Sequence, residues 1–354
     1  MHSETMQTHS VLGIDVGGAN IKFATSAGLT QSRPFPMWKD ADRLSETLLE
    51  MVSEVDWQPN CVAVTMTGEL ADCFETRTEG VRHIVEHTAA AFDGLAPYFY
   101  SVDGTWLSSS GALTNLLVLA ASNWHALASW AADWLAREDE ALGKRLQTAV
   151  LVDIGSTTVD IIPIREGRVI TLSRTDHERL VANELVYTGI ERTPVPAILQ
   201  SVVLNGKSVR LMAERFADSH DAYLWLGLVE EEPDVVDTAD GRSRTRGNAA
   251  GRLARLIGED RATVDKLHLD AIANQTVERQ TETLVDAIKL VAEACSVAHE
   301  DLRILFSGHA GPLESRIRER LPIRETWSLR DVLGPELSRC APAYAVAKLL
   351  EREA

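Results

Sequence analysis

Two stretches of this chain set an aspartate two residues ahead of a glycine, with small or polar residues behind it and apolar residues on both sides. The first reads Leu12-Gly-Ile-Asp15-Val-Gly17-Gly18-Ala19-Asn20-Ile-Lys22-Phe; the second reads Val150-Leu-Val-Asp153-Ile-Gly155-Ser156-Thr157-Thr158-Val-Asp160. Each pattern predicts a tight β-hairpin. Glycine lets backbone N–H groups come close to an anion, and Asn20, Ser156, Thr157 and Thr158 add side-chain donors. Gly17, Gly18, Ala19, Asn20 and Lys22 are therefore candidate phosphate-binding residues, as are Gly155, Ser156, Thr157 and Thr158. Asp15 and Asp153 end their strands beside these turns and suit a hydrated Mg²⁺ facing the phosphates. One such turn alone is an ordinary hairpin. Its repetition points to phosphate chemistry.

Carboxylates at strand ends are the next candidates, because ligands of open α/β sheets sit beyond the strands. Glu69 follows the apolar run ending at Thr67, and Asp103 follows the run ending at Val102. Either suits a general base toward a hydroxyl, or a group orienting metal-bound water. A helix-cap neighbourhood for Glu69 and a plain turn for Asp103 are the alternatives, and both stay open. Between Ser173 and Val195 lie Arg174, Tyr187 and Arg192 among hydroxyls and the turn signals Thr188-Gly189 and Thr193-Pro194, which reads as a substrate-recognition insert. Farther on, acidic residues 230–240 switch abruptly to Arg242, Arg244 and Arg246. An exposed loop is one reading. Arginines that pair phosphate oxygens, Arg242 first among them, are the other. His177 reads as a surface residue.

The elements that position these groups follow from periodicity. A strand–turn–strand at Val11–Thr25 precedes a helix at Leu44–Val55 and strands at Cys61–Thr67 and Tyr98–Val102. Apolar positions from Ala112 to Ala136 recur at helical spacing and predict one long buried helix. The second hairpin spans Ala149–Ile164, and helical patterning runs from Asn248 to Ala298. The segment Leu302–Leu313 holds a glycine turn, Gly308-His309-Ala310-Gly311, ahead of Pro312 in a first helical turn. Charged residues Glu138, Asp139, Glu140, Lys144 and Arg145 mark a connection near 140–148. The expected domains are 1–145, joined by a returning helix at 341–354, and 146–340.

The chain has 354 residues, ample for two domains with sizeable cores. Lysine and arginine number 35 against 52 acidic residues, a net charge of −17, which argues against nucleic-acid partners and anionic membranes. A small anionic substrate remains compatible with a locally positive pocket. Four cysteines, Cys61, Cys73, Cys295 and Cys340, show no CxxC spacing and read as reduced thiols of a cytoplasmic protein. The polar Met1–Ser10 stretch lacks the apolar run of a signal peptide. Assembly into a homo-oligomer stays open.

The paired turns resemble those of the superfamily of actin, Hsp70 chaperones and sugar kinases. That resemblance implies an α/β fold of two duplicated actin/Hsp70/sugar-kinase-like domains with a ligand cleft between them. It also implies that Gly308, His309 and Gly311 meet any bound nucleotide, although His309 stands where glycine is common; ATP as a cofactor stays open. Within the superfamily the chain resembles the hydantoinase A/oxoprolinase-like family, in its tetrahydromethanopterin-linked one-carbon-transfer branch, which includes ether-forming enzymes of methanofuran biosynthesis. The residues carrying this are the Gly13–Lys22 turn, Met66–Asp72, Ala121–Trp124, Val152–Thr158, Arg174–Asp176, Glu184–Gly189, Arg192–Val195 and Thr238–Arg242. The resemblance implies a transferase joining a furanylmethyl diphosphate to the phenol oxygen of a glutamyl-tyramine, with diphosphate leaving. An ATP-dependent small-molecule kinase or amidohydrolase of the same wider group is the alternative.

Overall fold

Runs of β-branched and aliphatic residues build two six-stranded sheets in the computed structural model, which describes residues 11–54, 59–144, 148–298, 301–309 and 311–353. Met1–Ser10, Val55, Arg145, Ala310 and Ala354, all part of the sequence expectations, lie outside the described residues. The first sheet comprises β1 (Val11–Val16), β2 (Asn20–Thr25), β3 (Thr30–Pro34), β4 (Cys61–Met66), β5 (Tyr98–Tyr100) and β6 (Trp106–Ser108), in the order β3-β2-β1-β4-β5-β6. The second comprises β7 (Thr148–Ile154), β8 (Val159–Arg165), β9 (Arg168–Val169) and β10 (Leu185–Val186). After a separate hairpin, β11 (Ser201–Leu204) with β12 (Lys207–Arg210), it is completed by β13 (Arg303–Gly308) and β14 (Glu325–Ser328).

The two sheets repeat one plan. A hairpin, β1–β2 or β7–β8, lies beside a parallel strand, β4 or β13, so that Asp15 is level with Thr65 and Asp153 with Ser307. The central strands are buried on both faces, as parallel strands covered by helices require.

By its contacts the chain divides into unit 1, Met1–Ala149, Pro163–Arg179 and Ser328–Ala354, and unit 2, Val150–Ile162 and Leu180–Trp327. Residues 163–179 and 328–340, grouped with the second domain on sequence grounds, are thus counted with unit 1. Its core includes Ile14, Val16, Val64, Met66, Val81 and Phe99. The helix Ala341–Glu353 packs so closely on β1 that a β-carbon at Gly13 would lie 1.8 Å from the Ala343 carbonyl oxygen. The core of unit 2 joins Val150, Val152 and Phe306 to Ile272, Val277, Leu284 and Ile288 of the helix Lys266–Ala294.

One helix from Ala112 to Ala136 was expected, and the structure has three pieces instead. An α-helix at Ser109–Thr114 and a 3₁₀ turn at Leu116–Leu119 precede the helix Asn123–Ala141. The Asn115 amide donates back to the Gly111 carbonyl and ends the first piece. Ala121 then takes the left-handed conformation, φ 49°, which no continuous helix permits. The 248–298 pattern likewise resolves into helices Arg246–Arg255 and Lys266–Ala294, parted where Gly258 adopts φ 77°. Pro312 is the second residue of the helix Gly311–Arg320. Among the described residues no helix is long and apolar enough to cross a membrane.

Candidate functional site

Both glycine turns close in the same way. The Gly17 N–H donates to the Asn20 carbonyl at 3.0 Å, and the Gly155 N–H donates to the Thr158 carbonyl at 2.8 Å. Among the described residues, no acceptor takes the N–H groups of Gly18, Ala19, Ser156 or Thr157. Each turn therefore offers consecutive donors to an outside anion. A side chain would be crowded at Gly17 and Gly155: a β-carbon would come within 2.8 Å of the Asn20 oxygen at the first and 3.1 Å of the Thr158 oxygen at the second. Lys22 lies across the hairpin from Asp15, whose carboxyl is buried with Oδ1 unpartnered. Burial raises the Asp15 pKa, and the Lys22 charge opposes the rise.

Beyond β4 the chain folds back over the first turn. The N–H groups of Thr67 and Gly68 both donate to the Val16 carbonyl, and Gly68 lies against Gly17. This delivers Glu69 beside the turn, 1% exposed, with Oε2 unpartnered. Burial pushes its carboxyl up to about 7, against pulls from its own backbone N–H, the Arg77 charge and the Ala121 N–H. The break in the expected long helix thus has a use: Ala121 turns its N–H to Glu69. The following Ser122 hydroxyl meets Thr65 at 2.8 Å.

The segment 171–179 of unit 1 adds cations on this side. Arg77 Nη2 pairs with Asp176 at 3.1 Å, and both charges act on Glu69. Arg174 reaches Asp103 at 3.2 Å through Nε and donates through Nη1 to the carbonyls of Thr171 and Ser173. Asp103 itself is half exposed. Arg179 is buried with its guanidinium 4.2 Å from the centre of the Trp124 ring, a cation–π contact. Nearby, Tyr100 and His125 share a hydrogen bond of 3.0 Å. Burial lowers His125 to about 4, helped by the Arg174 charge, so the ring is neutral at pH 7.

In unit 2 the loop after β10 is pressed onto the second turn. The Glu191 and Arg192 N–H groups both donate to the Ser156 carbonyl, at 2.9 and 3.0 Å. A β-carbon on Gly189 would lie 2.5 Å from Ser156 backbone atoms, so only glycine fits. The loop is anchored from behind by Gln280, whose Nε2 donates to Thr188 Oγ1 and to the Gly189 carbonyl, both at 2.8 Å. Its Oε1 accepts from the Tyr223 hydroxyl at 2.6 Å. Tyr187 is exposed, and Arg192 stands 3.9 Å from Asp237.

Of the three alternating arginines, Arg242 is exposed, whereas Arg244 is held between Glu191 and Glu232. The Arg246 backbone N–H donates to Glu231, and its side chain reaches the Leu224 carbonyl. Gly308, φ 72°, has a packing reason: a β-carbon there would lie 2.3 Å from the Ile154 carbonyl oxygen and 2.8 Å from Asp153 Oδ1. The His309 N–H donates to that same carbonyl at 2.6 Å.

Unit 1 therefore brings Asp15, Gly17, Gly18 and Glu69 into one neighbourhood; unit 2 joins the Ser156 turn to the Thr188–Thr193 loop. Sequence reasoning missed Gln280 and Arg179, and gave Ala121 no role beyond its place in a stretch that carries the family resemblance. Gln280 had one signal, a polar residue within the apolar stripe Val277, Leu284 and Ile288.

The duplicated sheets and hairpin turns define a protein of the actin, Hsp70 and sugar-kinase fold. A solved acetone carboxylase, nucleotide-free, shares that fold at a TM-score of 0.52 over 95% of this chain and 70% of its own, with 10% identity. The hydantoinase/oxoprolinase family model matches residues 60–353, and the chain belongs to that family. It is similar to the (4-{4-[2-(gamma-L-glutamylamino)ethyl]phenoxymethyl}furan-2-yl)methanamine synthase of Methanocaldococcus jannaschii, 34% identical over 346 residues, 97% of this chain and 98% of that one. The Methanococcus vannielii protein of the same name is 29% identical over 58% of this chain and 92% of its own length.

Proposed function

We propose that the chain is an ether-forming transferase of methanofuran-type cofactor synthesis. It joins a furan bearing a methyl diphosphate to the phenol of a γ-glutamylated tyramine. The likeness to the M. jannaschii synthase over nearly its whole length supports this, and that synthase's name describes an aryl–O–CH₂–furan ether. The bond formed is between the phenol oxygen and the furfuryl CH₂. The bond broken is CH₂–O, its electron pair leaving with the diphosphate, and the phenol proton goes to a base.

The observation that carries the chemistry is Glu69, buried, unpartnered at Oε2 and titrating at about 7. A phenol has a pKa near 10, so its attack needs a base poised near neutrality. Glu69 meets that need, whereas Asp103 is half exposed and already paired with Arg174. The free N–H groups of Gly18 and Ala19, on the same unit as Glu69, bind diphosphate oxygens and stabilise the charge that grows on the leaving group; in unit 2 the turn at Ser156 and Thr157 offers donors of the same kind. Arg174, Tyr187 and Arg192 recognise the substrate.

Asp15, whose Oδ1 is buried and unpartnered, would hold a hydrated Mg²⁺ of the kind that takes one or two carboxylates plus substrate phosphate, and Asp153 ends the corresponding strand of unit 2. A Mg²⁺ held there would supply charge neutralisation to the leaving diphosphate. Among the described residues no group of three or more acidic, histidine or cysteine ligands competes for a metal. Four cysteines, none of them in a disulfide, suit a cytoplasmic setting. The test is turnover with both organic substrates and Mg²⁺, with and without ATP: ether and diphosphate in equal amounts without ATP support the transferase, and obligatory ATP cleavage returns the kinase or amidohydrolase reading.

A further inference from the structure

Unit 2 contains a cavity of about 270 Å³ bounded by Arg242, by one face of the helix Arg246–Arg255, and by the turn Asp260–Ala262. Its floor is made by Gly247 and Gly251, one helical turn apart. A β-carbon on Gly251 would meet nothing within 4 Å, so the space in front of it is open. A β-carbon on Gly247 would lie 3.1 to 3.4 Å from three atoms of the Arg261 guanidinium, which therefore rests flat against the bare backbone.

Three guanidiniums, those of Arg242, Arg255 and Arg261, line this space. Arg242 and Arg255 both lean on Asp240, at 3.9 and 3.4 Å, and Asp240 is already committed to Arg252 at 3.0 Å. Arg261 has no ion-pair partner among the described residues. The one carboxylate lining the cavity, Asp260, turns Oδ1 to the N–H groups of Ala262 and Thr263 and so braces its own turn. A chain of net charge −17 has here gathered cations around an open space without supplying the anions to match.

We propose that this cavity is a binding site for a phosphate group, either inorganic phosphate or the terminal phosphate of a small metabolite. Planar guanidiniums bind tetrahedral oxyanions in bidentate fashion, and the volume has room for a phosphate together with part of a metabolite that carries it. The site includes neither glycine turn nor Glu69, and it takes Arg242, which the sequence offered for the substrate's phosphates, into a separate place, so the proposal does not depend on the ether-forming reading.

The test observes Arg261 directly, through the Nε–Hε signal of the full chain labelled with ¹⁵N-arginine and assigned by its loss in Arg261→Lys. Inorganic phosphate should shift that signal saturably, and chloride at matched ionic strength should not. Arg242→Ala, and Arg242→Lys as the gentler change, should weaken phosphate affinity read at Arg261 by about tenfold for the alanine and less for the lysine. An equal shift with chloride would mean charge screening only and overturn the proposal. So would no shift, or an affinity indifferent to Arg242. A saturable response to glutamate but not phosphate would overturn the phosphate assignment in favour of a carboxylate.

Discussion

Gly80 stands against the backbone of Glu69 so closely that a β-carbon would fall 2.1 Å from the Glu69 carbonyl oxygen and 2.8 Å from its Cα. The helix Arg77–Ala91 is thereby the wall that fixes where Glu69 sits. In an ordinary helix interior, glycine to alanine stabilises by about 0.5–1 kcal/mol. At Gly80 the sign should reverse. Gly80→Ala should destabilise by about 1–3 kcal/mol, as overpacking does, and lower kcat by displacing Glu69. Urea unfolding and steady-state rates check both, and a stabilised, fully active variant would contradict the contact.

Glu69 should dominate the pH behaviour near neutrality. Its folded pKa of about 7 lies above the ordinary carboxyl value of 4.5. The folded state therefore holds the proton more tightly, a contribution fully present below pH 4.5 and lost as pH rises through 7. The difference corresponds to about 3 kcal/mol. Glu69→Gln should flatten the stability profile between pH 5 and 8. Activity moves oppositely, since the base works deprotonated: kcat/KM should climb with an apparent pKa near 7 in the wild type, and the variant should lose at least about 100-fold.

Ala121 gives an expectation of opposite sign. It adopts φ 49° as a residue with a β-carbon, a conformation that costs about 1–2 kcal/mol relative to glycine-compatible backbone. Ala121→Gly should leave stability unchanged or raise it by up to about 1 kcal/mol, because the added freedom of the unfolded chain offsets part of the relief. Thermal melting at pH 8, where Glu69 is ionised and needs the Ala121 N–H, is the check.

Gln280 should matter more than a single surface amide. Gln280→Leu leaves the buried Tyr223 hydroxyl without its acceptor and removes both donors to the Thr188–Gly189 loop. Each buried polar group so stranded costs about 1–3 kcal/mol. Loosening of that loop should also raise KM for the diphosphate substrate more than it lowers kcat. The double change Tyr223→Phe, Gln280→Leu should recover part of the stability but not the KM.

What could be read in the sequence follows the range of the physics involved. Residues 12–23 and 150–160 encode their hairpins locally, through glycine and small polar residues between apolar runs. The burial of Glu69 depends instead on Arg77, Gly80 and Ala121, the last of them 52 positions farther along the sequence. Helical periodicity could not register Ala121, because the residue breaks the helix for the sake of a distant carboxyl. The arginines after residue 240 looked available for phosphate, yet Arg244 is held by Glu191, far back in the sequence. Arg252, unremarkable in the sequence, is fully buried between Asp221 and Asp240. Local turn chemistry was readable; pairings across long separations were not.

The most direct measurement is single-turnover product analysis with furanylmethyl diphosphate, γ-glutamyl-tyramine and Mg²⁺ in the absence of nucleotide, comparing wild type with Glu69→Gln at pH 8. Wild type should release one diphosphate for each aryl ether formed, only when both substrates are present, and Glu69→Gln should do so far more slowly. Ether formation that stops without ATP, or that proceeds equally well in the Gln variant, would contradict the transfer chemistry assigned to this chain.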